Sequence, residues 1–170
     1  MPQPCNGEEL MTATNEIRSP RPLREIVLTR EIAAPRTLLF RLWTEPEHLM
    51  RWWGPQTTTA SAVSVDLREG GAWRHCIFTA EGKEYWSHGR YLEIVPPERL
   101  VFTFAWEDQH GKPGHQMKVT VELHELGDKT RLVFRKVELP DDTELKLQTG
   151  GWEQALDKYV AYAEATSREG

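Results

Sequence analysis

The chain has 170 residues, of which 28% are charged and 39% hydrophobic, and its formal net charge is -5. This length and composition favour one globular domain, which can bury about 68–70% of the surface that its unfolded chain exposes. The acidic balance and the lack of a basic stripe argue against nucleic acid as a partner. No apolar run reaches the ~20 residues that span a bilayer, and the N-terminus lacks the apolar core of a signal peptide. The default expectation is therefore a cytoplasmic protein without a membrane span.

The two ends of the chain are predicted to be tails that flank a single domain. Residues 1–22 contain four prolines and scattered polar residues with no hydrophobic period, which is typical of a flexible tail. The domain is expected to occupy residues 23–165, and residues 166–170 form a short C-terminal tail.

The first part of the domain is predicted to be a strand followed by two short helices. Residues 23–32 are rich in β-branched side chains and favour a strand. Ala33-Ala34-Pro35 begins a helix, with proline at a tolerated first-turn position. Thr44-Glu45-Pro46 ends it, and a second short helix follows.

Two adjacent tryptophans, Trp52 and Trp53, end this second helix and are followed by Gly54-Pro55. Neighbouring helical residues point about 100° apart, so the two rings face different surfaces. The pattern predicts the lip of a cavity, where one ring packs inward towards Trp73 and Trp152. The other ring is expected to seal against the first helix or the rim.

The middle of the chain is predicted to be a set of antiparallel strands separated by turn residues. The strands are expected at residues 58–67, 72–78, 84–95, 100–106, 117–126 and 130–139. Gly127-Asp128 fits a two-residue hairpin loop, which places Val119 opposite Lys136.

The register of the earlier hairpin depends on its loop length. A three-residue loop with Gly82 in the left-handed position places His75 opposite Ser87. A two-residue turn would place His75 opposite His88 instead. We prefer the first register because Gly82 is correctly placed for a left-handed bulge.

A long helix closes the chain, because Trp152, Leu156, Tyr159 and Ala163 recur at helical spacing. The element order is strand, two helices, about six antiparallel strands and a long helix. This order predicts an α+β fold in which one curved sheet wraps around the last helix.

Strand alternation places many large rings on the sheet face that meets this helix. With the residues of the two helices, this face forms the candidate ligand-binding site: Trp52, Trp53, Trp73, His75, Tyr85, Tyr91, Phe102, Phe104, Trp106, Phe134, Lys136 and Trp152. Ser87 and Glu93 are expected on the same face. Rings mixed with polar and charged groups are hard to pack dry, so such groups pair, reach water or line a pocket. The alternative interpretation is that the rings only fill the core under the helix.

Signals for catalysis and metal binding are weak. The sequence has no nucleophile elbow, phosphate loop or zinc motif, and its six histidines are not clustered. Cys5 and Cys76 have no metal-ligand partner at a recognised spacing. No cofactor or metal is therefore expected, and catalytic residues stay unassigned. His75 with Glu93 could perform acid–base chemistry in a cavity, whereas a hydrogen-bonded polar pair is the simpler interpretation.

Several motifs, in order, resemble the START-like (SRPBCC) superfamily, and specifically the domain related to the C-terminal part of the heat-shock-protein-90 ATPase activator. The motifs are Ile32-Ala33-Ala34-Pro35, the segment 46–55 with its two tryptophans, Glu69-Gly70-Gly71-Ala72-Trp73, the segment 89–94 with Pro96-Pro97-Glu98-Arg99-Leu100, Thr130-Arg131-Leu132, and Gly151-Trp152. The resemblance covers residues 23–165. It implies a helix-grip fold, in which a seven-stranded antiparallel sheet surrounds a long C-terminal helix and a cavity lies between them.

The same resemblance implies that the domain binds a small hydrophobic or aromatic molecule in that cavity. A chaperone-ATPase-activating interaction module and an enzyme of the cyclase or hydrolase kind are the alternatives, and a homodimer fits the family. Lys136 stands where close relatives are expected to have a smaller or imidazole side chain. It places a positive charge near the pocket, which argues against a purely lipid-like ligand.

Overall fold

A computed structural model describes residues 24–169 of the chain. The tail predicted for residues 1–22 lies outside the described residues. The last helix continues to Glu169 and so includes most of residues 166–170.

Residues 24–169 form one antiparallel sheet of seven strands, ordered β1-β7-β6-β5-β4-β3-β2. The strands are β1 (Ile26–Ile32), β2 (Thr58–Val65), β3 (Ala72–Thr79), β4 (Glu84–Val95), β5 (Arg99–Trp106), β6 (Met117–Leu126) and β7 (Lys129–Val137). The helices are α1 (Arg36–Thr44), α2 (Pro46–Trp52) and α3 (Asp142–Glu169). The sheet is curled into a half-barrel around α3, so the predicted α+β helix-grip plan is confirmed.

Both hairpin registers predicted from turn residues are confirmed. The β6–β7 hairpin pairs Val119 with Lys136 across the two-residue loop. The β3–β4 hairpin pairs His75 with Ser87, and Gly82 has a φ of 90° in its three-residue loop. Turn chemistry therefore decides which side chains of these four strands face α3.

Two element boundaries differ from the prediction for identifiable backbone reasons. The first helix begins at Arg36 rather than Ala33, because Pro35 is an extended N-cap and a residue before proline disfavours the helical conformation. The last strand ends at Val137 rather than at residue 139, because Glu138 has a φ of 67° and turns the chain.

A β-bulge at Leu92 overturns one expectation about the inner face of the sheet. Tyr91 pairs with Phe102, but Glu93 pairs with Val101, so one residue of β4 is unpaired. The extra residue moves the following side chains to the opposite face. Glu93 therefore lies on the outer face, where its Oε1 accepts a hydrogen bond from Arg99 Nε at 3.0 Å. The prediction that it shares a face with His75 is wrong.

The core lies between the concave face of the sheet and α3, and α1 and α2 close one end of it. Trp43 stands at its centre, with ring centroids 4.7 Å from Trp52 and 5.4 Å from Tyr159. Two buried polar atoms bond to backbone there: Trp52 Nε1 donates to the Leu42 carbonyl at 2.9 Å, and the Tyr159 hydroxyl to that of Leu39 at 3.0 Å. These bonds fix the two short helices against α3.

Candidate functional site

A cavity of about 630 Å³ lies between the N-terminal half of α3 and the sheet. Its wall consists of Trp53, Gly54, Pro55, Thr58, Ile77, Thr79, Tyr85, Phe104, Trp106, Glu107, His115, Met117, Pro140, Glu144, Leu147, Gln148, Gly151, Trp152 and Ala155. Ligand pockets in proteins have volumes of roughly 300–1,000 Å³, so this space fits a small organic molecule.

The two adjacent tryptophans have different positions relative to this cavity. Trp53 lines it and packs 5.3 Å from the Trp152 ring and 5.8 Å from the Trp73 ring. Trp52 points the other way and is bonded to the backbone of α1. One ring thus faces inward and the other seals against the first helix, as the helical spacing predicts.

Lys158 of α3 fixes the loop that follows the tryptophans. Its Nζ donates hydrogen bonds to the carbonyl oxygens of Gly54, Pro55 and Thr58 at 3.1, 3.1 and 3.3 Å. Three backbone acceptors satisfy the whole ammonium group. The loop at the cavity edge is therefore tied to the helix that forms the opposite wall.

The twelve predicted site residues divide into two groups. Five line the cavity: Trp53, Tyr85, Phe104, Trp106 and Trp152. Seven are buried in the core beside or beneath it: Trp52, Trp73, His75, Tyr91, Phe102, Phe134 and Lys136. Most residues of the second group are therefore located as the alternative interpretation expects, with their rings filling the core. The binding role of the first group stays a prediction.

The first four turns of α3 supply wall residues that sequence reasoning missed. They are Glu144, Leu147, Gln148, Gly151 and Ala155. The sequence predicts that this helix begins near Gly150-Gly151, whereas α3 begins at Asp142. The missed signal is Asp141, whose Oδ1 accepts the backbone N–H of Glu144 at 2.8 Å and caps the helix.

His75 is buried at 2% exposure between two tryptophans, with ring centroids 4.8 Å from Trp53 and 4.7 Å from Trp73. Its Nδ1 has no hydrogen-bond partner in the described structure. Burial lowers the pKa of His75 from 6.5 to about 4, so the ring is uncharged near neutral pH. Since Glu93 lies on the other face of the sheet, the two residues do not form an acid–base pair.

Lys136 is fully buried, and its Nζ stands 3.5 Å from the centroid of the Phe104 ring and 5.6 Å from that of Trp152. Within residues 24–169 this nitrogen has no hydrogen-bond partner. Burial holds the pKa of Lys136 well below 10.5, an effect that the Glu144 carboxylate opposes. The positive charge expected from the sequence is therefore strongly disfavoured at this position.

Gln148 is the second unsatisfied polar group near this wall. Its Nε2 donates to Glu144 Oε1 at 2.9 Å, but its buried Oε1 accepts no hydrogen bond from the described residues. An unpaired buried polar atom costs about 1–3 kcal/mol, so such atoms need an explanation.

A polar cluster on the outer face fixes the edge of the cavity at the end of β5. The Glu107 carboxylate accepts two hydrogen bonds from Arg74 and one from His88 Nδ1, all at 2.8 Å. Its side chain is only 4% exposed. The bonds from Arg74, and secondly from His88, hold the pKa of Glu107 below its usual value. Glu107 thus lines the cavity with a carboxylate that is already fully engaged.

Residues 24–169 contain neither a metal-binding cluster nor a membrane-spanning helix. No three His, Cys, Asp or Glu side chains in this part of the chain come close enough together to hold a metal ion. Among the described helices, none combines the length and apolar character needed to cross a bilayer.

A curled antiparallel sheet around a long C-terminal helix, with a cavity between them, defines a START-like helix-grip domain. Residues 33–164 match the family model described as "Activator of Hsp90 ATPase homolog 1-like protein". The chain belongs to this family, as its motifs predicted.

Solved structures of bacterial proteins share the fold. A protein from Chromobacterium violaceum is 29% identical with a TM-score of 0.74, over 82% of this chain and 97% of that one. The AHSA1 protein from Silicibacter pomeroyi is 28% identical with a TM-score of 0.75, over 81% and 95% of the two chains. A protein from Nitrosomonas europaea is 26% identical with a TM-score of 0.72, over 85% and 96%. No curated protein matches the chain.

Proposed function

We propose that the protein binds a small hydrophobic or aromatic molecule in the cavity between the sheet and α3. The observation that carries this proposal is the set of five rings, contributed by the α2–β2 loop, two strands and α3, that line one space of about 630 Å³. Aromatic walls with a few polar groups are typical of sites for small organic ligands.

The mouth of the cavity supports the same function. Leu147 is 64% exposed and belongs to the cavity wall. A single exposed leucine is common on protein surfaces and does not indicate a binding site. At the entrance of an aromatic pocket, however, it extends the apolar surface of the pocket to the solvent. A ligand that covers Leu147 removes this surface from water, which contributes to binding.

The expected affinity is moderate. A ring system of ~10 heavy atoms gains roughly 0.5 kcal/mol per atom in such a pocket, within the range observed for small ligands. The resulting ~5–7 kcal/mol corresponds to a dissociation constant of about 10–200 μM.

Two adjacent glycines of α3 make a matched test. Gly151 lines the cavity, and a Cβ added to it would stand 3.5 Å from Pro55 Cγ, so Gly151→Leu fills the cavity without a backbone clash. A Cβ at Gly150 meets nothing within 4 Å, so Gly150→Leu is the control. Both changes replace glycine inside a helix by a better helix former.

Isothermal titration with naphthalene, together with native mass spectrometry of the freshly purified protein, measures the outcome. We expect Gly151→Leu to weaken naphthalene binding at least tenfold, and Gly150→Leu to leave it unchanged. The proposal is wrong if the wild-type protein binds neither naphthalene nor any molecule retained through purification, or if both variants lose binding equally.

Association with a chaperone is the second candidate, and the family match favours it, since the family is described by activation of the Hsp90 ATPase. Steady-state ATP hydrolysis by Hsp90, measured with and without this protein, tests it. Stimulation that persists in Gly151→Leu would assign this activity to a surface other than the cavity. No stimulation at saturating protein would exclude it.

A further inference from the structure

Behind the cavity wall, two buried polar groups that lack partners carry an inference about the ligand. Lys136 Nζ lacks an acceptor, and Gln148 Oε1 lacks a donor, among residues 24–169. Phe104 and Trp152, which flank the amine, both line the cavity, and so does Gln148 itself. The acceptor therefore lies in the cavity wall on α3, and the donor lies on β7 behind two rings of the same wall.

The side chains around Lys136 supply almost no charge to balance it. Its neighbours across the sheet are Ile26 on β1 and Val119 on β6, and the ring of Phe104 on β5 packs against its Nζ. From α3, Trp152 adds a second ring, and Glu144 is the charged group whose field reaches the amine. Glu144 is engaged by Gln148, and it makes no hydrogen bond with Lys136.

A carboxylic acid group has the chemistry that both unpaired atoms lack. It carries one acceptor oxygen, which an amine N–H can bond, and one O–H, which an amide oxygen can accept. Transfer of the proton from the acid to the amine gives an ion pair with the same total number of protons. Either arrangement satisfies groups that are costly to leave unpaired in a low-dielectric wall.

We infer that the cavity selects a small aromatic acid, whose ring packs among Trp53, Phe104 and Trp152 and whose carboxyl group reaches Lys136 and Gln148. This inference rests on the proposed function and names the class of its ligand. The amine lies behind the rings, so the acid reaches it after a side-chain rotation in the wall. Such a rotation breaks no backbone hydrogen bond.

Binding of the acid is expected to take up a proton. In water at neutral pH the free acid is an anion, and burial disfavours the charged form of Lys136 in the empty protein. Because burial disfavours the ammonium in the empty protein and a bound carboxylate favours it, binding of the acid shifts Lys136 towards its protonated form. The Glu144 carboxylate on the same wall favours the charged amine and disfavours the charged acid, so its net effect on the bound pair is small.

The test compares 2-naphthoate with 2-naphthamide, which has nearly the same shape but no acidic group. Isothermal titration at pH 7.5 in phosphate and in Tris separates proton uptake from binding, since the two buffers differ in ionisation enthalpy. We expect 2-naphthoate to bind with net uptake of protons and 2-naphthamide with none.

Three variants assign the effect to residues. Lys136→Met is expected to weaken 2-naphthoate binding about ten- to hundredfold and to abolish proton uptake. It should weaken 2-naphthamide binding less, because the amide loses one neutral hydrogen bond whereas the acid also loses an ion pair. Glu144→Gln is expected to change 2-naphthoate binding less than about threefold, because the bound pair of acid and amine carries no net charge. Lys146→Met removes an exposed charge from the same helix and serves as the control for long-range electrostatics.

The outcomes separate the two proposals. If 2-naphthamide binds as tightly as 2-naphthoate and no proton is taken up, the acid inference is overturned while the proposed binding function stands. Equal losses for both probes in Lys136→Met also overturn it, because they indicate a purely structural role. If neither probe binds but naphthalene does, only the acid inference is contradicted; if naphthalene and every retained molecule fail to bind as well, the proposed function is contradicted too.

Discussion

The buried imidazole of His75 makes the stability of this domain depend on pH in a specific window. The ring lies between Trp53 and Trp73 at 2% exposure, and burial lowers its pKa from 6.5 to about 4. Between these two values the unfolded chain binds a proton that the folded protein does not. The stability that depends on His75 staying uncharged is therefore fully present above pH 6.5, and it is lost as the pH falls towards 4.

The size of this loss follows from the two pKa values. A difference of ~2.5 pH units corresponds to about 3 kcal/mol when the pH is below both values. At pH 4.5 the loss is roughly 2.5 kcal/mol, and at pH 7.0 it is only about 0.2 kcal/mol. His75→Phe keeps a ring between the two tryptophans but removes the titrating group, so it removes this loss.

Urea unfolding at pH 7.0 and 4.5, followed by tryptophan fluorescence, measures the free energy of unfolding at each pH. We expect the wild-type protein to lose about 2 kcal/mol more than His75→Phe over this interval. His110→Phe makes the same change in an exposed loop and should behave as the wild type does. If the wild type and His75→Phe lose stability in parallel, burial of His75 does not control the acid response.

The remaining predictions concern backbone contact and the buried amine, and urea unfolding measures each. Gly89→Ala is expected to cost about 3 kcal/mol or more, because its Cβ would overlap the Thr103 carbonyl oxygen and stand 2.7 Å from Trp73 Nε1. Gly150→Ala should have the opposite effect, because nothing lies within 4 Å of the new Cβ. It should raise the free energy of unfolding by about 0.5–1 kcal/mol. Lys136→Met should raise the free energy of unfolding at pH 7 by about 1–4 kcal/mol. This gain should shrink as the pH approaches 10.5, because the unfolded wild-type lysine then loses its proton too; a gain that grows with pH would contradict the burial argument.

Sequence reasoning reached the inner face of the sheet because the decisive information is local. A glycine at position 82 and the Gly127-Asp128 pair set the loop lengths of two hairpins, and loop length sets register. Once register is known, alternation places His75 and Lys136 inward without any tertiary information.

Predictions from the sequence were wrong where the local residue types do not determine the backbone geometry. The bulge at Leu92 has no glycine at the unpaired position, so alternation continued through it and placed Glu93 on the wrong face. The prediction of where α3 begins was wrong for the opposite reason, because here a local signal is present but does not decide the structure. Gly150-Gly151 is a strong breaker signal, but the cap at Asp141 and the packing of the helix override it.

The division between core and cavity follows from where the short helices end. Tyr159 and Ala163, in the C-terminal half of α3, are fully buried, and the Tyr159 ring packs between Trp43 and Trp52. α2 stops at Trp52, so neither of the two short helices in the described part of the chain covers the earlier turns of α3, and Trp152 faces the cavity there. Three of the rings that line the cavity, Trp53, Phe104 and Trp152, also belong to the buried core. Gly151 faces the space and contributes no ring to the core, so its substitution can change ligand binding without dismantling the core. This position makes the proposed function separable from stability by experiment.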